Sequence, residues 1–210
     1  MSGTACDSAA ARSALLADFS LDITAKELGE LEPARTVIPA GTPVQLSFPD
    51  GADLAERAST ARAIKEAGFT PVPIIAARRF RSQQMLREYL AALGGDVITQ
   101  FGFDAARVLG WLTEARARGI GLQVRVSVPG PATVRRLLAI ASRCGVAVSA
   151  SVAEEYGFSL TEPTHIAEPG RFIQTLASGY DPRSHGDVKL HFNAFGGFSA
   201  TVEWIESRIL

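Results

Sequence analysis

"GLQVRVSVPGPATVRRLLAIASRCG", residues 121–145, passes from strand to helix in a single turn. Its first part reads as a strand broken by Pro129 and Pro131. Val134, Leu137, Leu138 and Ala141 then recur at three- and four-residue spacing and make one face of a helix. Pro131 suits a first helical turn, where its missing N–H is not needed.

The same alternation extends in both directions. Upstream, Phe19, Leu21 and Ile23 alternate with Ser20, Asp22 and Thr24, the period-two pattern of a strand. A polar stretch over residues 25–34 leads to a second strand, with Val44, Leu46 and Phe48 on one face and Gln45 and Ser47 on the other. Residues 53–69 read as a helix capped by Asp50 or Asp53 and closed at Gly68. A short apolar run over 70–77 precedes a helix over 81–93, then Gly94 and Gly95, then a strand over 96–104. The helix after it carries Val108, Trp111, Leu112 and Ala115 as its apolar stripe and ends at Gly119. Downstream of the opening stretch, residues 146–151 are extended and residues 169–181 helical. A last strand over 187–197 and a last helix over 198–210 follow. Six longer strands, each followed by a helix or helical linker, predict an α/β fold with a parallel sheet. Periodicity leaves an open sheet and a barrel equally available, because right-handed crossovers build both.

The chain has 210 residues and no repeat or linker that divides it, so residues 15–210 are expected as one domain after a flexible segment over 1–14. A net charge of -1 gives no electrostatic footprint for nucleic acid or an anionic membrane. The arginine groups at Arg78, Arg79 and Arg81 and at Arg135 and Arg136 have acids along the chain and read as solvated helix faces. Two cysteines make no disulfide framework and suit a reducing cytoplasm. No apolar run reaches the ~18 residues of a membrane span, and the N-terminus lacks the basic and apolar regions of a signal peptide.

Reactive residues of α/β folds sit at the carboxyl ends of strands. That rule selects Asp22, residues 47–48, 76–79, 100–103, 128–130 and 193–197. Asp22 faces either the sheet interior, where desolvation would make it a proton donor, or solvent. Gln100 offers a donor and an acceptor to a heterocycle edge, or bonds to neighbouring backbone. The turn over 128–132 exposes N–H groups to an anion or is simply a turn. "NAFGGF", residues 193–198, resembles a phosphate- or ring-binding turn, although a tight strand–helix connection explains its glycines equally well. His165, His185 and His191 have no metal-ligand spacing with one another or with Cys144, and no GxSxG elbow occurs.

"FSLDIT" (19–24), "GDVITQFGFD" (95–104), residues 122–146 and "KLHFNAFGGFSATVEW" (189–204) together resemble the methylenetetrahydrofolate reductases. The resemblance runs over residues 15–210. Its most specific part is "ITQFGFD" followed by "VPGP" and "CGV", and "HFNAFGG" is similar to the family's "HFYTFGG". It implies a barrel related to the (β/α)8 fold that binds FAD. Hydride would pass from NAD(P)H to flavin and on to methylenetetrahydrofolate, giving methyltetrahydrofolate. It implies Asp22 as the proton donor, where many members have Glu. Gln100, with Phe103 and Phe195, would contact folate, and Ser47 and Ala76 would lie at the flavin.

The chain departs from the family at identifiable places. About six of the eight β/α units are recognisable, and the family's "GGDP"-like and "YPEGHP"-like turns are absent from the chain. Ile74 stands where relatives often have His, and Asn193–Ala194 where they have Tyr–Thr. The expected missing pair of units falls between Leu93 and Asp96, and strands left unpaired there would favour a homo-oligomer. The alternatives to a reductase are a non-catalytic folate- or partner-binding relic of the barrel and a different enzyme on the shortened scaffold.

Overall fold

The computed structural model describes residues 3–46, 54–72 and 97–208. Ser47, Ile74, Ala76, the helix expected over 81–93 and the junction at Gly94–Gly95 lie outside the described residues.

Helix α1 (Gly3–Leu16) is the first described element. Leu15 and Leu16 are buried, and the α1 side chain of Arg12 donates to the carbonyl of Arg208, 3.0 Å away at the far end of the chain. Strand β1 (Ser20–Ile23) follows. The polar stretch after it is a 3-10 helix (Ala25–Glu30) running into the short helix α2 (Leu31–Ala34). Its start is a capping box, in which Thr24 and Glu27 satisfy each other's end groups. Strand β2 (Pro43–Leu46), helix α3 (Leu54–Glu66) and strand β3 (Thr70–Val72) come next, with Gly68 at φ 83° stopping α3 as expected.

Beyond residue 96, β4 (Val97–Ile98) is shorter than the alternation suggested. Asp104 caps α4 (Ala105–Ala117) by accepting from the N–H of Arg107. In α4 the buried residues are Ala105, Leu112 and Ala115, with Val108 and Leu109 partly covered. Trp111, expected in the stripe, is 43% exposed, because the packed face is centred one residue round from it. Strand β5 (Val124–Pro129) leads through β6 (Ala132–Thr133) into α5 (Val134–Arg143). Of residues 146–151, expected to be extended, residues 150 and 151 are instead helical and open α6 (Ala150–Tyr156), between Ser149, itself extended, as N-cap and Gly157 at φ 112° as C-cap. Strand β7 (Ile166–Ala167) pairs antiparallel with β6 as a small separate sheet. Helices α7 (Gly170–Gly179) and α8 (Pro182–His185), strand β8 (Val188–Asn193) and helix α9 (Phe198–Arg208) complete the chain.

The main sheet has six strands in the order β3-β2-β1-β8-β5-β4, and each pairing is parallel. Leaving out the short β6 and β7, every step from one strand to the next moves the same way across the sheet, apart from the step from β3 to β4, which joins its two ends. Right-handed crossovers in one direction put all connecting helices on one face. The side chains follow suit. Leu21, Ile23, Val44, Val124, Val126, Val128, Val188, Leu190 and Phe192 alternate onto a single face and are at most 1% exposed. The fold is thus α/β with a parallel sheet wound in one sense. No pairing joins β3 to β4 among the described residues.

Candidate functional site

The second face of the sheet is polar. Ser20 and Asp22 on β1, Arg125 and Ser127 on β5, and His191 and Asn193 on β8 all point away from the helix-covered side, and none is more than 9% exposed. Inner faces of (β/α) barrels are filled mainly by Val, Ile and Leu. Buried polar groups need partners, and here they largely find one another.

Register sorts them into rows. Arg125 lies beside Lys189, Ser127 beside His191 and Pro129 beside Asn193, while Ser20 lies beside His191 from the other flank. In the row nearest the amino ends of the strands, the Arg125 guanidinium donates to the Asp18 carbonyl at 2.6 Å and to its carboxylate at 3.2 Å. Asp18 itself sits at φ 59°, a left-handed conformation that Asp tolerates better than most residues. In the middle row Ser20 Oγ and His191 Nδ1 are 2.9 Å apart. Burial, and secondarily the Arg125 charge, push the His191 imidazole down to a pKa of about 3, so it is neutral. Among the described residues its Nε2 has no hydrogen-bond partner.

Nearest the carboxyl ends, Ser127 Oγ donates to Asn193 Oδ1 at 2.5 Å, and Asp22 Oδ1 accepts from the backbone N–H of Ala194. Asp22 is 8% exposed, so of its two expected orientations it takes the inward one. It sits at the carboxyl end of β1, against the loop that leaves β8.

Gln100 is exposed, and its Nε2 lies 3.4 Å from the carbonyl oxygen of Cys144, at the end of α5. The structure therefore ties Asp22 to the β8 loop and Gln100 to α5. Phe103 is 3% exposed and wedged among rings: Tyr156 at 5.1 Å, Phe158 at 5.9 Å and Phe101 at 6.0 Å between centroids. Phe195 is half-buried and meets Phe101 edge-on at 4.9 Å. Phe101, within the strand-end stretch 100–103, joins the two. Ser47 and Ala76, assigned to flavin, lie outside the described residues.

The two turns considered for anions are occupied by the chain itself. At the start of α5 the N–H groups of Val134, Arg135 and Arg136 donate to the His165 carbonyl, the Pro163 carbonyl and Thr133 Oγ1. At the start of α9 the N–H of Phe198 donates to Glu27 at 3.1 Å and that of Ser199 to Glu30 at 2.7 Å. Two carboxylates thus sit where a phosphate would go. The glycines of these turns serve close packing. A Cβ on Gly196 would stand 1.9 Å from the Pro131 carbonyl oxygen, and one on Gly130 2.9 Å from that of Asn193. A diphosphate such as that of FAD therefore has no seat at either helix start.

A separate open cleft of about 450 Å³ lies between the end of α6 and the start of α7, bordered by Glu154, His165 and Arg171. It shares no lining residue with the Asp22 row. Among the described residues, no group of His, Cys, Asp and Glu is placed to hold a metal, and no helix is long and apolar enough to cross a membrane. No family model matches the chain.

Proposed function

We propose that the chain is an oxidoreductase related to the methylenetetrahydrofolate reductases, in which Asp22 is the acid that protonates the folate nitrogen as its ring opens. The observation that carries this reading is the inward Asp22 carboxylate at the carboxyl end of β1, in a parallel sheet wound in one sense. The resemblance implies a barrel related to the (β/α)8 fold. FAD, when bound, would supply hydride transfer between NAD(P)H and folate. Its proposed neighbours Ser47 and Ala76 come from the resemblance, and the starts of α5 and α9 give its diphosphate no place. Gln100 and Phe195 would contact folate at the same mouth; Gln100 would first have to leave the Cys144 carbonyl. A reducing cytoplasm suits the exposed free thiol of Cys144, and a homo-oligomer belongs to the same reading.

A second reading is favoured by the occupied helix starts: a folate- or partner-binding relic without redox chemistry. The visible absorption spectrum of the purified protein separates the two. Flavin bands, and an Asp22→Ala variant that loses folate reduction while oxidising NAD(P)H with an artificial acceptor, are expected of the reductase. A colourless protein that FAD does not reconstitute, yet that binds methyltetrahydrofolate equally well after Asp22→Asn, would establish the relic.

A further inference from the structure

We propose that His191 is a positioning residue for Asp22, acting through the Ser20 hydroxyl. The inference rests on the reading of Asp22 as the acid of this site. Ser20 and Asp22 are two residues apart on β1 and share its polar face, so whatever fixes one constrains the other. Ser20 Oγ is held at 2.9 Å from His191 Nδ1, its register neighbour on β8. Asp22 then meets the N–H of Ala194, three residues beyond His191 on the same chain segment. The other flank of that segment is fixed from β5, where Ser127 donates to Asn193 and its own N–H donates to Thr99 Oγ1 at 3.0 Å. Residues 191–194 are thus tied on both sides by side-chain bonds, and the carboxylate ties Ala194, one residue past the end of β8.

The imidazole is suited to this task because it stays neutral. Buried beside Arg125, it keeps one tautomer-dependent bond to Ser20 and does not acquire a charge near neutral pH. Space-filling alone does not account for it. An apolar ring would occupy the site without leaving a buried nitrogen that lacks a partner among the described residues, as Nε2 does here. The two ring nitrogens can be tested separately. Asn at position 191 keeps a polar group near the place of Nδ1, whereas Gln places its amide near that of Nε2.

The Ala194 amide proton reports the Asp22 bond directly in a 1H–15N spectrum, because an N–H bonded to a carboxylate resonates downfield. Ser20→Ala and His191→Gln are expected to move that signal upfield, in the direction of Asp22→Asn, and His191→Asn to return it toward its original place. A role confined to stability would lower the urea midpoint and leave the signal where it is; that result overturns the proposal. So does an Ala194 signal indifferent to Asp22→Asn, which would mean the bond is absent in solution. Should the His191 variants fail to fold, Ser20→Ala alone decides, since it removes one buried oxygen and leaves the ring. The readout needs neither flavin nor folate. A wild-type protein inactive toward folate, in which these shifts nonetheless occur, would dismiss the reading of Asp22 as an acid and keep the positioning.

Discussion

In an unfolded chain a histidine takes up a proton near pH 6.5, whereas folded His191 resists protonation down to about pH 3 because burial, reinforced by Arg125, penalises the charge. Between these values the unfolded state binds the extra proton, so stability rises with pH across the window. The contribution is fully present above about pH 6.5 and is lost as pH falls toward 3, with a limiting slope of about 1.4 kcal/mol per pH unit. Urea unfolding of wild type at pH 7 and pH 5 is expected to show this loss, and His191→Gln to lack that share of it. Equal losses in the two proteins would show that another group is responsible. At this scale the sequence was informative about Asp22 and silent about His191. Alternation placed Asp22 on a strand face, and only its neighbours decided that the face was covered. Spacing tests a histidine as a metal ligand, and a buried neutral imidazole has no spacing signature. Gln100 shows the converse, since its amide found the backbone partner that remained open beside a heterocycle.

Among the elements, the ends of the helices carry most of what is specific to this chain. Helix α9 begins on two carboxylates delivered by the 3-10 segment after β1, so the first and last parts of the chain are joined there. Glu30→Ala removes the partner of the Ser199 N–H and hydroxyl. It is expected to cost about 1 kcal/mol, as losing a cap does, with the deficit read from the shift in urea midpoint. Gly196→Ala should cost more, about 1–3 kcal/mol, because its Cβ meets a backbone oxygen that no side-chain rotation can move aside. A Gly196→Ala protein as stable as wild type would mean that the two turns are not in contact. The helix over Ala150–Tyr156, where the sequence suggests an extended segment, has its cap signals in plain view: Ser149 and Gly157. A helix of two turns is too short for hydrophobic periodicity to register. The stripe of α4 was displaced by one residue for a related reason, as Trp111 is apolar enough to count in any pattern and large enough to remain partly exposed.

For the whole molecule, the parallel α/β class followed from strand–helix alternation, but the winding did not. A sheet wound in one sense and one that reverses from its first strand have the same local periodicity, and only pairing distinguishes them. The polar inner face was likewise hidden, because Ser, Asp, His and Asn alternating with apolar residues look the same against water as inside a covered sheet. The order β3-β2-β1-β8-β5-β4 also bears on how the chain reaches its fold. Strands β1 and β8 are neighbours from opposite ends of the chain, and Arg12 touches Arg208. A circular permutant that links those ends and opens the chain between residues 72 and 97 would meet its main-sheet partners in the order β4, β5, β8, β1, β2, β3, each beside the one just made. Shorter loops to close mean a lower contact order, so the permutant is expected to refold faster than the natural arrangement in stopped-flow dilution from urea. Refolding at an unchanged rate would show that the meeting of β1 with β8 is not what the folding chain waits for.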